Sequence, residues 1–257
     1  GWEPIGGSSP ASFSRLEGNN HTISSLYVAS TGSYVGLFGF IYNTDISNLR
    51  IYNAEISGGN SGVLAGFIGS GTINNIRVSG VVDGYKASGL LAGHIQQMAV
   101  SNVKAEGDVS SSSFSGAWSS LGGIAGESNR TSFDKVEFEG DINANQSTTA
   151  GGIVGFSYKG TEIKDALVIN SSINARESAG GIVGDSFEDL TIENSLFIGT
   201  LSANYKTAPI VSDLYTNQDV TTVVKSYWDS EVAGIYSADY GEARTTSELQ
   251  CSMMPGD

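Results

Sequence analysis

Apolar and polar positions along this chain repeat with a period in the high twenties. Six runs of small and aliphatic residues close on glycine: Val35-Gly36-Leu37-Phe38-Gly39, Gly62-Val63-Leu64-Ala65-Gly66, Gly89-Leu90-Leu91-Ala92-Gly93, Gly122-Gly123-Ile124-Ala125-Gly126, Gly151-Gly152-Ile153-Val154-Gly155 and Gly180-Gly181-Ile182-Val183-Gly184. The closing glycines lie 27, 27, 33, 29 and 29 residues apart. A six-residue segment follows each run, at 46–51, 73–78, 100–105, 133–138, 163–168 and 192–197, mostly apolar at its first, fourth and sixth places. The step from fourth to sixth is the alternation of a half-buried strand. The step of three before it predicts a corner, occupied by Asn48, Asn75, Asn102 or Asn194 in four repeats. Asparagine suits a corner because it tolerates left-handed backbone and bonds to its own main chain. Ile56, Val82, Val109, Ile142, Ile173 and Leu201 form a third apolar column. No stretch keeps a helical period over a useful length.

A repeat this short cannot bury its own apolar face and must stack on its neighbours. The pattern therefore predicts an all-β fold, a right-handed parallel β-helix (β-solenoid) of about seven to eight coils with three short strands per coil. The three are the glycine run, the corner segment and the last apolar column. At the usual strand spacing the rod is on the order of 35–40 Å long. Residues 1–34 read as an N-terminal cap and first coil, marked by Phe13, Leu16, Ile23 and Leu26. Residues 35–228 carry the repeats, with Pro209-Ile210-Val211-Ser212 replacing a glycine run near their end. Residues 229–257 lose the period and read as a cap followed by an extended tail. The opening within a coil-like segment suggests a piece of a larger polypeptide.

The chain has 257 residues, 34 of them glycine, and a formal net charge of −14. That acidity argues against nucleic acid or an anionic membrane as partner, because both need basic patches. No segment has the length and apolarity of a membrane span. The lone cysteine, Cys251, excludes an internal disulfide and suggests a partner thiol elsewhere in a longer polypeptide.

The glycine runs joined to asparagine corners resemble the GLUG-motif repeat family. The opening Gly1-Trp2-Glu3-Pro4-Ile5-Gly6 and the later Gly18-Asn19-Asn20-His21-Thr22-Ile23 are similar to the start of such arrays. Ser226-Tyr227-Trp228-Asp229-Ser230-Glu231 and Thr245-Thr246-Ser247-Glu248-Leu249-Gln250 are similar to their close. Val63 and Leu90 depart from the pattern at the second glycine, and Lys135 and Asp165 at the corner. The resemblance implies an extracellular, secreted or cell-surface protein of bacterial origin. It points to adhesin-like chains and to non-catalytic parts of immunoglobulin-cleaving metalloproteases, and it names no active site.

Candidate chemistry is sparse. Glu106 and Asp108 in one coil and Glu139 and Asp141 in the next share an outward face and stack. Three readings follow: a solvated acidic edge with Lys104 nearby, a Ca²⁺ site, or an acid/base pair. Arg50, Arg77 and Lys104 form a basic column that suits a carboxylate sugar or pairs with the acids nearby. The turn before each glycine run carries the longer loops, with Tyr85, Phe114, Trp118 and Tyr205 as candidate ligand-binding aromatics. Aromatic faces beside Asn and Ser partners suit sugar rings. His21 and His94 lie in different coils with no Cys or carboxylate at ligand spacing.

Two functions compete. One is a non-catalytic extracellular binding or spacer module that recognises a glycan or a host or matrix surface. The other is a polysaccharide lyase or glycoside hydrolase using the acidic cluster, a reading that rests on fold analogy.

Overall fold

The computed structural model describes all residues except 8, 12, 113–118, 145, 147–148, 215–220 and 252–257. It is a parallel β-solenoid of about seven turns. Every laddered pair of strands is parallel, and each coil pairs with the next one along the chain.

The apolar columns read from the sequence are ladders in register. Leu16 pairs with Ile46, and the column continues through Ile73, Val100, Phe133, Ile163, Ile192 and Val223. From Ile46 to Ile192 these side chains are 1% exposed or less. Ile56, Val82, Val109, Ile142, Ile173 and Leu201 form a second ladder in register. Each such aliphatic side chain contributes roughly 1.5–3 kcal/mol on burial. Stacking alone can bury them, since each coil is one residue thick along the axis.

The glycine runs have a different role from the strand expected of them. They are bends between the short strands of a separate seven-stranded sheet and the main sheet. That smaller sheet stacks Tyr34–Val35, Asn60–Ser61, Ser88–Gly89, Ser120–Gly122, Thr149–Gly151, Ser178–Gly180 and Lys206–Ala208 in chain order. The ladder continues through the bends, as in Val63 N–H to Leu90 O at 2.9 Å and Leu64 N–H to Leu91 O at 3.0 Å. Small residues are required because backbones meet there. A Cβ on Gly93 would sit 2.6 Å from Gly66 O and 2.7 Å from Ala87 O.

After the bend, the second to fourth coils run as nearly unbroken strands, Phe38–Gly58, Ala65–Gly84 and Ala92–Ser110, that wrap the solenoid. They turn at left-handed residues. The expected corner column is present as Asn48, Asn75, Asn102, Lys135, Asp165, Asn194 and Lys225, all with φ between 48° and 55°. Two further corner columns exist. One is Asn43, Ser70, Gln97, Arg130 and Gly160. The other is Ser25, Asn53 and Asn170, with Gly80, Gly107 and Gly140 where a coil is one residue shorter.

Phe13, Leu16 and Ile23 pack on the core from the first coil, and Leu26 is buried in it. At the other end Glu242–Arg244 pairs in parallel with Tyr227–Asp229 and covers the last coil. Asp229 caps the short helix Ser230–Ala233, accepting from Glu231 N and Val232 N. Where an extended tail was expected, a second helix spans Thr246–Cys251. No helix among the described residues is long and apolar enough to cross a membrane.

Candidate functional site

Strand alternation sets up a concave surface on the side of the solenoid that precedes the smaller sheet. Val28, Ile56, Val82 and Val109 point inward, so their neighbours Tyr27, Glu55, Val81 and Asp108 align on the outside. Two positions on, Ala29, Ser57, Asp83 and Ser110 form a parallel outer column. Two adjoining cavities lie along these columns, of about 290 Å³ and about 400 Å³. They share Ser57 and Asp83 and so join side by side along the strand direction as one groove, each spanning the first three coils. Tyr27, 52% exposed, stands at one end. Tyr85 stands at the other, its N–H bonded to Gly58 O at 3.1 Å.

Asp83 organises the far wall. Its Oδ1 accepts from Ser112 N at 2.8 Å and Ser110 Oγ at 3.2 Å, and its Oδ2 accepts from Ser112 Oγ at 2.5 Å. These bonds fix the point where the longest loop leaves the coil. Glu55 lines the smaller cavity from an exposed position on the strand. The groove therefore offers two aromatic rings, hydroxyls from Ser30, Ser57 and Ser112, and one solvent-facing carboxylate.

Of the expected ligand-binding aromatics, Tyr85 is in this groove. Tyr205 is 74% exposed on an equivalent turn four coils away, so the two tyrosines share a side of the rod and not a site. Phe114 and Trp118 lie outside the described residues. Tyr27 and Glu55 escaped the sequence reading; an aromatic and an acid at the same outward place of successive coils was the available signal.

The expected acidic cluster is bonded into the coils. Asp108 Oδ1 accepts from Asp141 N at 3.1 Å, and Asp141 Oδ1 accepts from Ser172 N at 2.9 Å. Glu139 Oε1 accepts from Asn170 Nδ2 at 2.9 Å. Lys104 bridges Glu106 and Glu137 at 2.7 and 2.9 Å, and these carboxylates hold its ammonium above the usual lysine range. Each carboxylate thus serves a donor on its own or the next coil. Among the described residues no three His, Cys, Asp or Glu side chains gather as a metal-binding group.

His94 does have a carboxylate neighbour, contrary to the reading from sequence spacing. Its Nδ1 lies 3.0 Å from Glu127 Oε2 on the next coil, 33 residues away. Its ring stacks on Phe67 with centroids 4.9 Å apart, and Phe67 meets Phe40 edge-on at 4.7 Å. Tyr158 sits over the same cluster, its hydroxyl pushed up to about 12 by burial first and then by Glu127. In a solenoid the contact spacing is the coil length, so ligand spacings drawn from helices and hairpins miss such pairs.

No family model matches the chain, and no curated protein matches it. Among solved structures it is similar to the 1.30 Å crystal structure of a protein from Bacteroides ovatus described as a "putative immunoglobulin A1 protease". The two are 18% identical with a TM-score of 0.56, over 96% of this chain and 74% of that one. At that identity the likeness establishes a shared β-solenoid fold and stops there.

Proposed function

We propose that this chain is a non-catalytic binding and spacer module of a bacterial surface or secreted protein, part of a larger polypeptide, that holds a glycan strand in a groove on its side. The observation carrying this reading is the groove between Tyr27 and Tyr85. Aromatic faces at its two ends and serine hydroxyls along its floor match the apolar faces and hydroxyls of sugar rings. The GLUG-like repeats support the bacterial, extracellular part of the reading. The description of the B. ovatus protein agrees with the part of that resemblance that points to immunoglobulin-cleaving bacterial proteins.

The lyase or hydrolase alternative draws less support. Its acids are taken up by backbone and side-chain donors of the solenoid. Asp83, a half-buried acid in the groove wall, spends both oxygens on Ser110 and Ser112. A general acid needs a carboxyl free to meet the glycosidic oxygen.

Calorimetric titration with neutral cello-, xylo- and manno-oligosaccharides, with and without Ca²⁺, tests the reading, with the sugars then weighed by mass spectrometry. The expected result is saturable binding, weakened at least tenfold by Tyr27→Ala and by Tyr85→Ala, with the sugars intact. Shortened products that disappear in Glu55→Gln or Asp83→Asn would overturn it in favour of the enzyme.

A further inference from the structure

The chain carries 13 Lys and Arg against 27 Asp and Glu, yet it stacks two arginines side by side. Arg50 and Arg77 are in-register partners in the parallel ladder, so their backbones are roughly 4.8 Å apart. Like charges directly opposite on neighbouring strands are destabilising. Lys104 extends the column by one coil, but it is neutralised by Glu106 and Glu137. Pairing with nearby acids was the default expected for all three, and among the described residues it holds for Lys104 alone. Among the described residues the ion pairs leave out Arg50, Arg77, Lys86, Arg130 and Lys225, and of these five Arg50 and Arg77 alone are register partners.

The surroundings narrow the chemistry. Thr22 is the outward partner of Arg50 on the coil before, and Tyr52 is the next outward residue after it. No large exposed apolar side chain lies on this segment, so it lacks the apolar centre of a protein–protein interface. Hydroxyls and one half-buried ring beside two planar guanidinium forks suit an acidic sugar. The many carboxylates elsewhere act weakly beyond a Debye length of about 8 Å.

We infer that Arg50 and Arg77 form an anion clamp that takes a carboxylate or sulfate group of an acidic polysaccharide. Two adjacent forks reach one oxyanion from neighbouring coils, and the anion relieves the repulsion between them. The inference does not need the groove reading, since the arginines stand on a different straight segment of the coil.

The whole 257-residue chain is titrated with polygalacturonate, dextran sulfate and neutral dextran in low and high salt. The expected result is salt-sensitive binding to one or both acidic polymers and none to dextran, reduced at least tenfold in R50Q/R77Q. R130Q, which removes a cation at a corner away from the pair, should bind as the parent does. The double variant should melt at or above the parent temperature, because it removes a like-charge contact; a purely structural role would lower it. Binding of polygalacturonate alone assigns a carboxylate, and of dextran sulfate alone a sulfate. No binding to either acidic polymer, an unchanged double variant, or an equal loss in R130Q would overturn the clamp. Neutral oligosaccharides and the tyrosine variants test the groove separately, so the two readings can fail independently.

Discussion

Asn48 Nδ2 donates to Glu17 Oε1 at 2.8 Å, joining the first coil to the second at a corner of the solenoid. Ser47 Oγ donates to Glu17 Oε2 at 2.8 Å, and Asn19 N to Oε1 at 3.1 Å. Asn75 then donates to Asn48 Oδ1, so the corner amides form a chain that starts on this carboxylate. Donors that favour the ionised form, Asn48 first, lower the Glu17 pKa from 4.5 to about 2.

A lowered folded-state pKa gives stability that is present above about pH 4.5 and lost as pH falls through 2. Glu17→Gln should therefore flatten the fall in melting temperature between those pH values, with little change in its slope above pH 5. An unchanged acid limb in the variant would show that the bonds to Glu17 do not hold the first coil.

The glycine bends have no room for a side chain. Gly93→Ala places a methyl group against Gly66 O, Ala87 O and Ser61 N, all of them backbone atoms that cannot swing aside. It should cost about 2 kcal/mol or more by overpacking. Gly7→Ala, where a Cβ meets nothing within 4 Å, should stay within about 0.5 kcal/mol of the parent. Urea melts of the two variants would compare them directly. Equal midpoints would mean that the bends can open.

Lys135 turns a corner at φ 54° in a column otherwise rich in asparagine. A side chain without a local hydrogen bond is strained there by roughly 1 kcal/mol. Lys135→Asn should raise stability by about 0.5–1 kcal/mol. Asn102→Ala, at φ 53° in the same column, should lower it by about 1 kcal/mol. Chemical denaturation checks both signs. A neutral Lys135→Asn would overturn the account of backbone strain at this corner.

Much of the fold could be read from the chain because its inward positions are selected by one requirement. Ile46, Ile73 and Val100 must be aliphatic to fill the same space in successive coils, so their spacing displays the period, the ladder and the Asn48 corner column. The corners at Ser70, Gln97 and Arg130 were hidden, because an outward left-handed residue is held by the ladder on both sides and its type is weakly constrained. The bend made by the glycine runs was hidden too, since Val63 and Leu64 are as apolar in a bend as in a strand.

By itself, then, the sequence determined the stacking of coils, their approximate length and the columns that form the core. The tertiary structure decided which outward groups meet. Register partners in successive coils lie 26 to 33 positions apart, and loops of unequal length shift that offset from coil to coil. Asp108 is turned to Asp141 N–H, His94 to Glu127, and Arg50 to Arg77 only once the register is set. The groove between Tyr27 and Tyr85 is likewise a product of register, because its walls come from coils that no local pattern links.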